Sequence, residues 1–226
     1  MAQGTNSVDN RSWALISGIS LLLMTAAAGF SFGVVHTTVY VPANAEITAL
    51  SLQHNQLLFV AGIAGWITIA LLDVVVSAGV FRIYQSTSVG LATATALFRL
   101  IYTAVLAYAI FELVSIATTH DWQAGLSRID QFLETWSAGL ILFGVHLVLL
   151  GVVAARSTFT PRAISVLLVA AGVSYTIVEG AKTVFSFDLM QYAAANVVFS
   201  LCMIAGELLF AFWLIAWYRQ ARRTAN

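Results

Sequence analysis

The chain has 226 residues, of which 60% are hydrophobic and only 9% charged, with ten basic and ten acidic side chains in balance. A soluble domain carries about 25% charged residues, so an ordinary cytosolic enzyme is excluded, and without a basic surplus nothing supports binding to DNA or RNA. The single cysteine, Cys202, rules out a disulfide framework and a cysteine-rich metal site.

In chain order, apolar runs of membrane-crossing length fall at residues 13–35, 56–81, 89–116, 134–155, 162–184 and 192–218. Roughly 20 helical residues cross roughly 30 Å of hydrocarbon. The runs lack the two-residue alternation of strands and use Ala, Leu and Gly freely. They predict an all-α fold, a bundle of six transmembrane helices, with residues 1–12 as an N-terminal tail, 13–218 as the membrane domain and 219–226 as a basic tail. Arg11 and Ala26-Ala27-Ala28 resemble parts of a cleaved signal peptide, but the apolar run continues to Val35, so it reads as a span. Arg11, Arg82, Arg156, Arg162, Arg219, Arg222 and Arg223 fall on one side of alternating spans, against Arg128 and Lys182 on the other. That bias predicts cytoplasmic termini at both ends.

The connections differ in length. Residues 84–88 supply hydroxyl N-caps for the third span, and Thr160-Pro161-Arg162 reads as an N-cap followed by proline at the first helical position. In the outer connection 36–55, Pro42 precedes a short interfacial helix over Ala43–His54; residues 117–133, with His120, Asp121, Trp122, Arg128 and Asp130, read as a solvated loop. Gly29 and Gly33, and Ala61 and Gly65, have the spacing that lets helices approach within the bundle. Trp13, Tyr40, Trp122, Trp136, Tyr192, Trp217 and Tyr218 read as interfacial anchors rather than a cofactor box.

Ionisable residues inside spans are costly unless paired or wet. Counted from the helix ends at about 1.5 Å per residue, Asp73, Arg99, His146 and Glu207 all lie about 13–17 Å deep, near the midplane. Four residues from four helices share one layer, and convergence avoids exposing each to lipid. Two carboxylates against one fixed positive charge leave the layer one charge short of neutral. His146 is the member able to titrate near neutral pH, and if the carboxylates outweigh burial its charged form would stabilise the bundle. Ser77 and Tyr102 lie on the faces of Asp73 and Arg99, and Tyr175 is a further supporting candidate. The bland alternative is that the layer is interhelical glue.

A second polar group, Glu112, Glu179 and Lys182 with His36, falls near the outer end, where snorkelling tolerates it or a vestibule uses it. No HExxH, GxSxG or CxxC motif occurs. Arg99 opposes a divalent cation in the layer, so neither a metal nor a cofactor is expected. Cys202 reads as an inert core thiol.

Several short patterns lie in a definite order: Leu71-Leu72-Asp73-Val74-Val75, Leu97-Phe98-Arg99, Phe143-Gly144-Val145-His146, Arg156-Ser157 to Pro161-Arg162, and Gly206-Glu207-Leu208. With Val41-Pro42, they make residues 13–218 resemble the bacterial multi-pass membrane proteins grouped as domain of unknown function 4386. The resemblance implies a six-helix inner-membrane protein of no established activity, with recurring positions at Asp73, Arg99, His146, Pro161, Arg162 and Glu207. Lys182 falls where that pattern varies.

The leading functional expectation is a membrane protein that binds or moves a small polar molecule, ion or proton at the midplane layer, with Arg99 anchoring an anionic group. The alternatives are an intramembrane enzyme on a lipid-like substrate, with His146 and Glu207 as acid and base, and a structural or signalling subunit. The partners expected are the lipid bilayer and a small ligand or a protein. A cavity joining the layer to water would favour transport, a lateral opening to lipid an enzyme, and a closed, fully paired layer a structural part.

Overall fold

The computed structural model describes the backbone of residues 2–223 and the side chains of residues 11–220. Arg222, Arg223 and residues 1–10 therefore enter with no side-chain description, and 224–226 of the basic tail lie outside the described residues. Among the described residues there is no strand, and six helices are long and apolar enough to cross a membrane. The chain is an integral, multi-pass membrane protein.

Span one is part of a helix that begins at Ala2, so the N-terminal tail is continuous with it. The winding changes to π over Gly29–His36, and the span ends at Val39. Span two is Gln56–Tyr84, span three Val89–Thr119, span four Gly125–Arg156, span five Arg162–Phe185 and span six Ala193–Arg223. Ser88 caps span three, its hydroxyl accepting from the Leu91 amide. The interfacial helix starts at Ala45, two residues later than expected, because Asn44 takes the cap position and accepts from the Ile47 amide at 3.0 Å.

Two connections depart from expectation. Residues 125–133 are helix rather than solvated loop, since Ile129, Phe132, Leu133 and Trp136 fall on one face and bury Ile129 and Phe132. Only a left-handed His120, Asp121 and a 3₁₀ turn over Trp122–Ala124 separate spans three and four. At the other turn Pro161 itself is the N-cap, and Thr160 makes no cap bond. The Thr160 hydroxyl is occupied elsewhere, bonded to Tyr84 Oη at 3.0 Å and accepting from Ser157 Oγ at 2.7 Å, which ties this turn to the end of span two.

The spans pack in sequence order, each on the next, and span six closes onto span one. The ring is drawn tight by small residues. A Cβ on Gly172 would stand 2.5 Å from the Gly144 carbonyl oxygen, and one on Gly151 2.8 Å from that of Ser165, so spans four and five touch backbone to backbone. Spans one and six meet in the same way at Gly18, whose Cβ would lie 2.9 Å from Ala211 O. Gly65 backs onto Ser31, whose hydroxyl donates to Gly62 O at 2.9 Å. Gly29 and Gly33 do not serve as packing glycines: a Cβ on either meets nothing within 4 Å. The π segment packs on span two, and these two glycines are left facing open space.

Candidate functional site

The inward faces of spans two and three are written at helical spacing. Trp66, Ile69, Asp73, Val76 and Ser77 are buried on span two; Ala92, Thr95, Arg99 and Tyr102 are buried on span three. Asp73 is 0% and Arg99 1% exposed. Arg99 grips one carboxylate oxygen twice: Nε donates to Asp73 Oδ1 at 2.7 Å and Nη2 approaches the same oxygen at 2.6 Å. Its Nη1 lies 3.1 Å from His146 Nε2 on span four. The guanidinium stands 5.3 Å from the centroid of the Phe143 ring, and Nη2 reaches the Met24 sulfur at 4.0 Å.

This arrangement decides the state of His146. Arginine only donates, so Nε2 must accept. The other ring nitrogen, Nδ1, carries the hydrogen and donates it to Thr95 O at 2.8 Å. His146 is thus the neutral Nδ1–H tautomer, and the expected charged, layer-balancing histidine is not what the geometry holds. The physical reason is position: the fixed charge of Arg99, rather than a carboxylate, sits against the ring. Asp73, Arg99 and His146 together are formally neutral.

Glu207 takes no part in that network. It lies half-buried on span six with no hydrogen bond to any described residue, although both Arg99 and Asp73 act on it electrostatically. Asp73 Oδ2 is buried and likewise has no hydrogen-bond partner. Asp73 and Glu207 border a cavity of about 510 Å³ within the ring, walled by Phe32, Trp66, Trp136, Phe143 and Tyr175. Tyr102 also lines it, its hydroxyl accepting from Trp136 Nε1 at 3.3 Å. Arg99 and His146 do not line it. Toward the end of the bundle away from the termini the lining includes Gly29, Phe32 and Gly33 of span one and Ile204 of span six, all of them exposed residues.

The remaining candidates scatter. Ser77 joins two helices, donating to Ala96 O at 2.8 Å. Glu112 pairs with Arg128 at 2.7 Å. Glu179 accepts from Ser137, Lys182 is exposed, and His36 stacks between Phe32 and Tyr40, so no outer polar group forms. Among the described residues, no three His, Cys, Asp or Glu side chains gather as a metal set would. Cys202 is half-buried.

Trp136 was expected at an interface and instead lines the cavity, because span four begins at Gly125 and carries it inward. Thr95, Phe143, Met24 and Trp66 were missed as site residues. Thr95 and Phe143 had a usable signal, lying one helical turn before Arg99 and His146 on the same faces. Nothing local in span one marks Met24.

The model of the family described as Domain of unknown function (DUF4386) matches residues 16–217, nearly the whole ring. The chain belongs to this family. An uncharacterized protein of Archaeoglobus fulgidus is 29% identical over 153 residues, which cover 68% of this chain and 81% of that protein. No solved structure matches the chain. Within this DUF4386 chain, Asp73, Arg99 and His146 form one hydrogen-bonded unit, while Glu207 lines the cavity beside them.

Proposed function

We propose that this protein binds a small amphiphilic molecule in the ring cavity, with its polar head at the Asp73–Glu207 layer and its apolar part reaching toward lipid. The reading places it in the bacterial inner membrane with both termini cytoplasmic. One observation carries it: the cavity of about 510 Å³ is lined by the carboxyl-bearing Asp73 and Glu207 and by exposed residues on spans one and six. Pockets of roughly 300–1,000 Å³ suit small molecules. Spans one and six touch around Gly18, whereas the π segment packs on span two. The seam between them therefore opens at the outer half. A π segment in a helix often accompanies a functional site.

The lateral opening also suits an intramembrane enzyme. The acid–base pair expected for one does not meet, since both nitrogens of His146 are engaged and the ring is set back from the cavity. A purely structural layer would not leave Glu207, without a hydrogen bond to any described residue, beside an open space. Native mass spectrometry of protein released from lipid nanodiscs tests the binding reading. Wild type is expected to retain one small amphiphile per chain, and Gly33→Trp, which fills the mouth, to lose it. Equal retention by both would overturn the reading.

A further inference from the structure

The chemistry around the cavity selects among head groups, and this step rests on the binding reading above. A site for an anionic head needs donors directed into the space. Arg99 is the cation of the layer, but Nε and Nη2 are bonded to Asp73, Nη1 faces His146, and the side chain does not line the cavity. The expectation that Arg99 anchors an anion thus meets a guanidinium already bonded through three of its five N–H groups to Asp73 and His146, with Nη2 also reaching the Met24 sulfur. What does border the cavity is acceptor-rich: Asp73, whose buried Oδ2 has no partner, and Glu207, which has no hydrogen bond to any described residue. Tyr175, which carries a further hydroxyl, is also in the lining.

Charge counting points the same way. Asp73 and Arg99 cancel and His146 is neutral, so an ionised Glu207 leaves one negative charge beside a space walled by aromatic rings. A cation restores neutrality there. Aromatic faces attract cations, the more so when water is excluded, and an ammonium offers only donors, matching the acceptor-only carboxylate of Glu207. The apolar remainder of the cavity, lined by residues such as Leu21, Leu140 and Ile204, fits a hydrocarbon tail.

We infer that the occupant of the cavity is a lipophilic amine, a single ammonium head on an apolar tail, with Glu207 as its counter-ion and the Asp73–Arg99–His146 unit as a fixed wall. Glu207 is the binding residue, and Asp73 stays with Arg99 in the wall.

Three probes with one tail and different heads test this: dodecylamine, dodecanol and dodecanoate, titrated at neutral pH into the protein in nanodiscs. Intrinsic fluorescence reports binding because Trp66 and Trp136 line the cavity, and Trp66→Phe with Trp136→Phe removes the signal as a control. Dodecylamine is expected to bind saturably and at least about tenfold tighter than either other probe, a difference of about 1.4 kcal/mol. Glu207→Gln is expected to abolish that preference while dodecanol binding persists, and Glu207→Asp to keep most of it. Equal binding of all three probes, unchanged in Glu207→Gln, would overturn the amine assignment and leave the cavity a general amphiphile site. Tighter binding of dodecanoate would overturn it too. If no probe binds saturably, the binding reading itself falls. The head-group order in wild type decides the matter even where Glu207→Gln fails to fold.

Discussion

Replacing Asp73 by Asn removes the charge that holds Arg99 but leaves an amide oxygen in its place. The guanidinium, 1% exposed, would keep only His146 Nε2, the Phe143 face and the Met24 sulfur around it. Stripping one partner from a buried ion pair costs about 3–5 kcal/mol, and the retained carbonyl places Asp73→Asn toward the lower end. Arg99→Gln strands the carboxylate instead and also deprives His146 of its donor, so it is expected to cost at least as much. The double variant carries no unmatched charge and should recover a large part of either loss. An ordinary interhelical hydrogen bond in a membrane is worth about 0.6 kcal/mol, and about 1.7 at most. A coupling energy above about 2 kcal/mol would therefore mark a dry ion pair rather than simple glue. Reversible unfolding in mixed micelles, titrated with dodecyl sulfate, measures all four corners of the cycle. Additivity within about 0.5 kcal/mol would refute the reasoning.

Gly172→Ala should destabilise by about 1–3 kcal/mol, because the new methyl meets a backbone oxygen that cannot yield, whereas Gly29→Ala, into open space, should be neutral; the same unfolding assay compares them. Just beyond the end of span one, Tyr40 donates to Asp130 Oδ1 of span four at 2.6 Å, and its phenol is pushed up to about 12 by burial, with the bond to Asp130 and its negative charge adding to the effect. A raised phenol contributes stability fully below its unfolded value near 10 and loses it as pH rises through about 12. Tyr40→Phe should flatten that alkaline loss, and thermal unfolding between those limits would show no difference if the bond were irrelevant. Cysteines placed at either terminus of a Cys202→Ser chain should resist an impermeant thiol reagent in intact cells, and labelling of either would overturn the cytoplasmic assignment.

The six spans were legible because hydrocarbon thickness imposes a length that composition alone betrays, and the midplane layer because depth along a straight helix is simple counting. Counting fixes height and not azimuth. That is why Asp73, Arg99 and His146 could be placed at one level while the separation of Glu207 from their network could not. The protonation state of His146 depended on which neighbour came nearest, a matter of a few ångströms between helices. The extra turns of span four escaped because Arg128 and Asp130 suggested a wet loop. The apolar face through Ile129 and Phe132 was nevertheless present in the same residues. The π winding of span one had no local warning, and with it Gly29 and Gly33 are left out of helix contact.

The ring order has a consequence for how this protein comes into being. Five of its six joints are between helices already tied by a connecting segment, and the sixth, between spans one and six, has no covalent link at all. Span one waits in the bilayer with an unfinished flank until the last helix has been synthesised and inserted. During that interval the future cavity is a groove exposed to membrane solutes, and the final helix can shut around whatever lies there. Afterwards, the unlinked joint can breathe without stretching any loop, so the step that completes biogenesis and the step that admits a guest would be the same movement run in opposite directions.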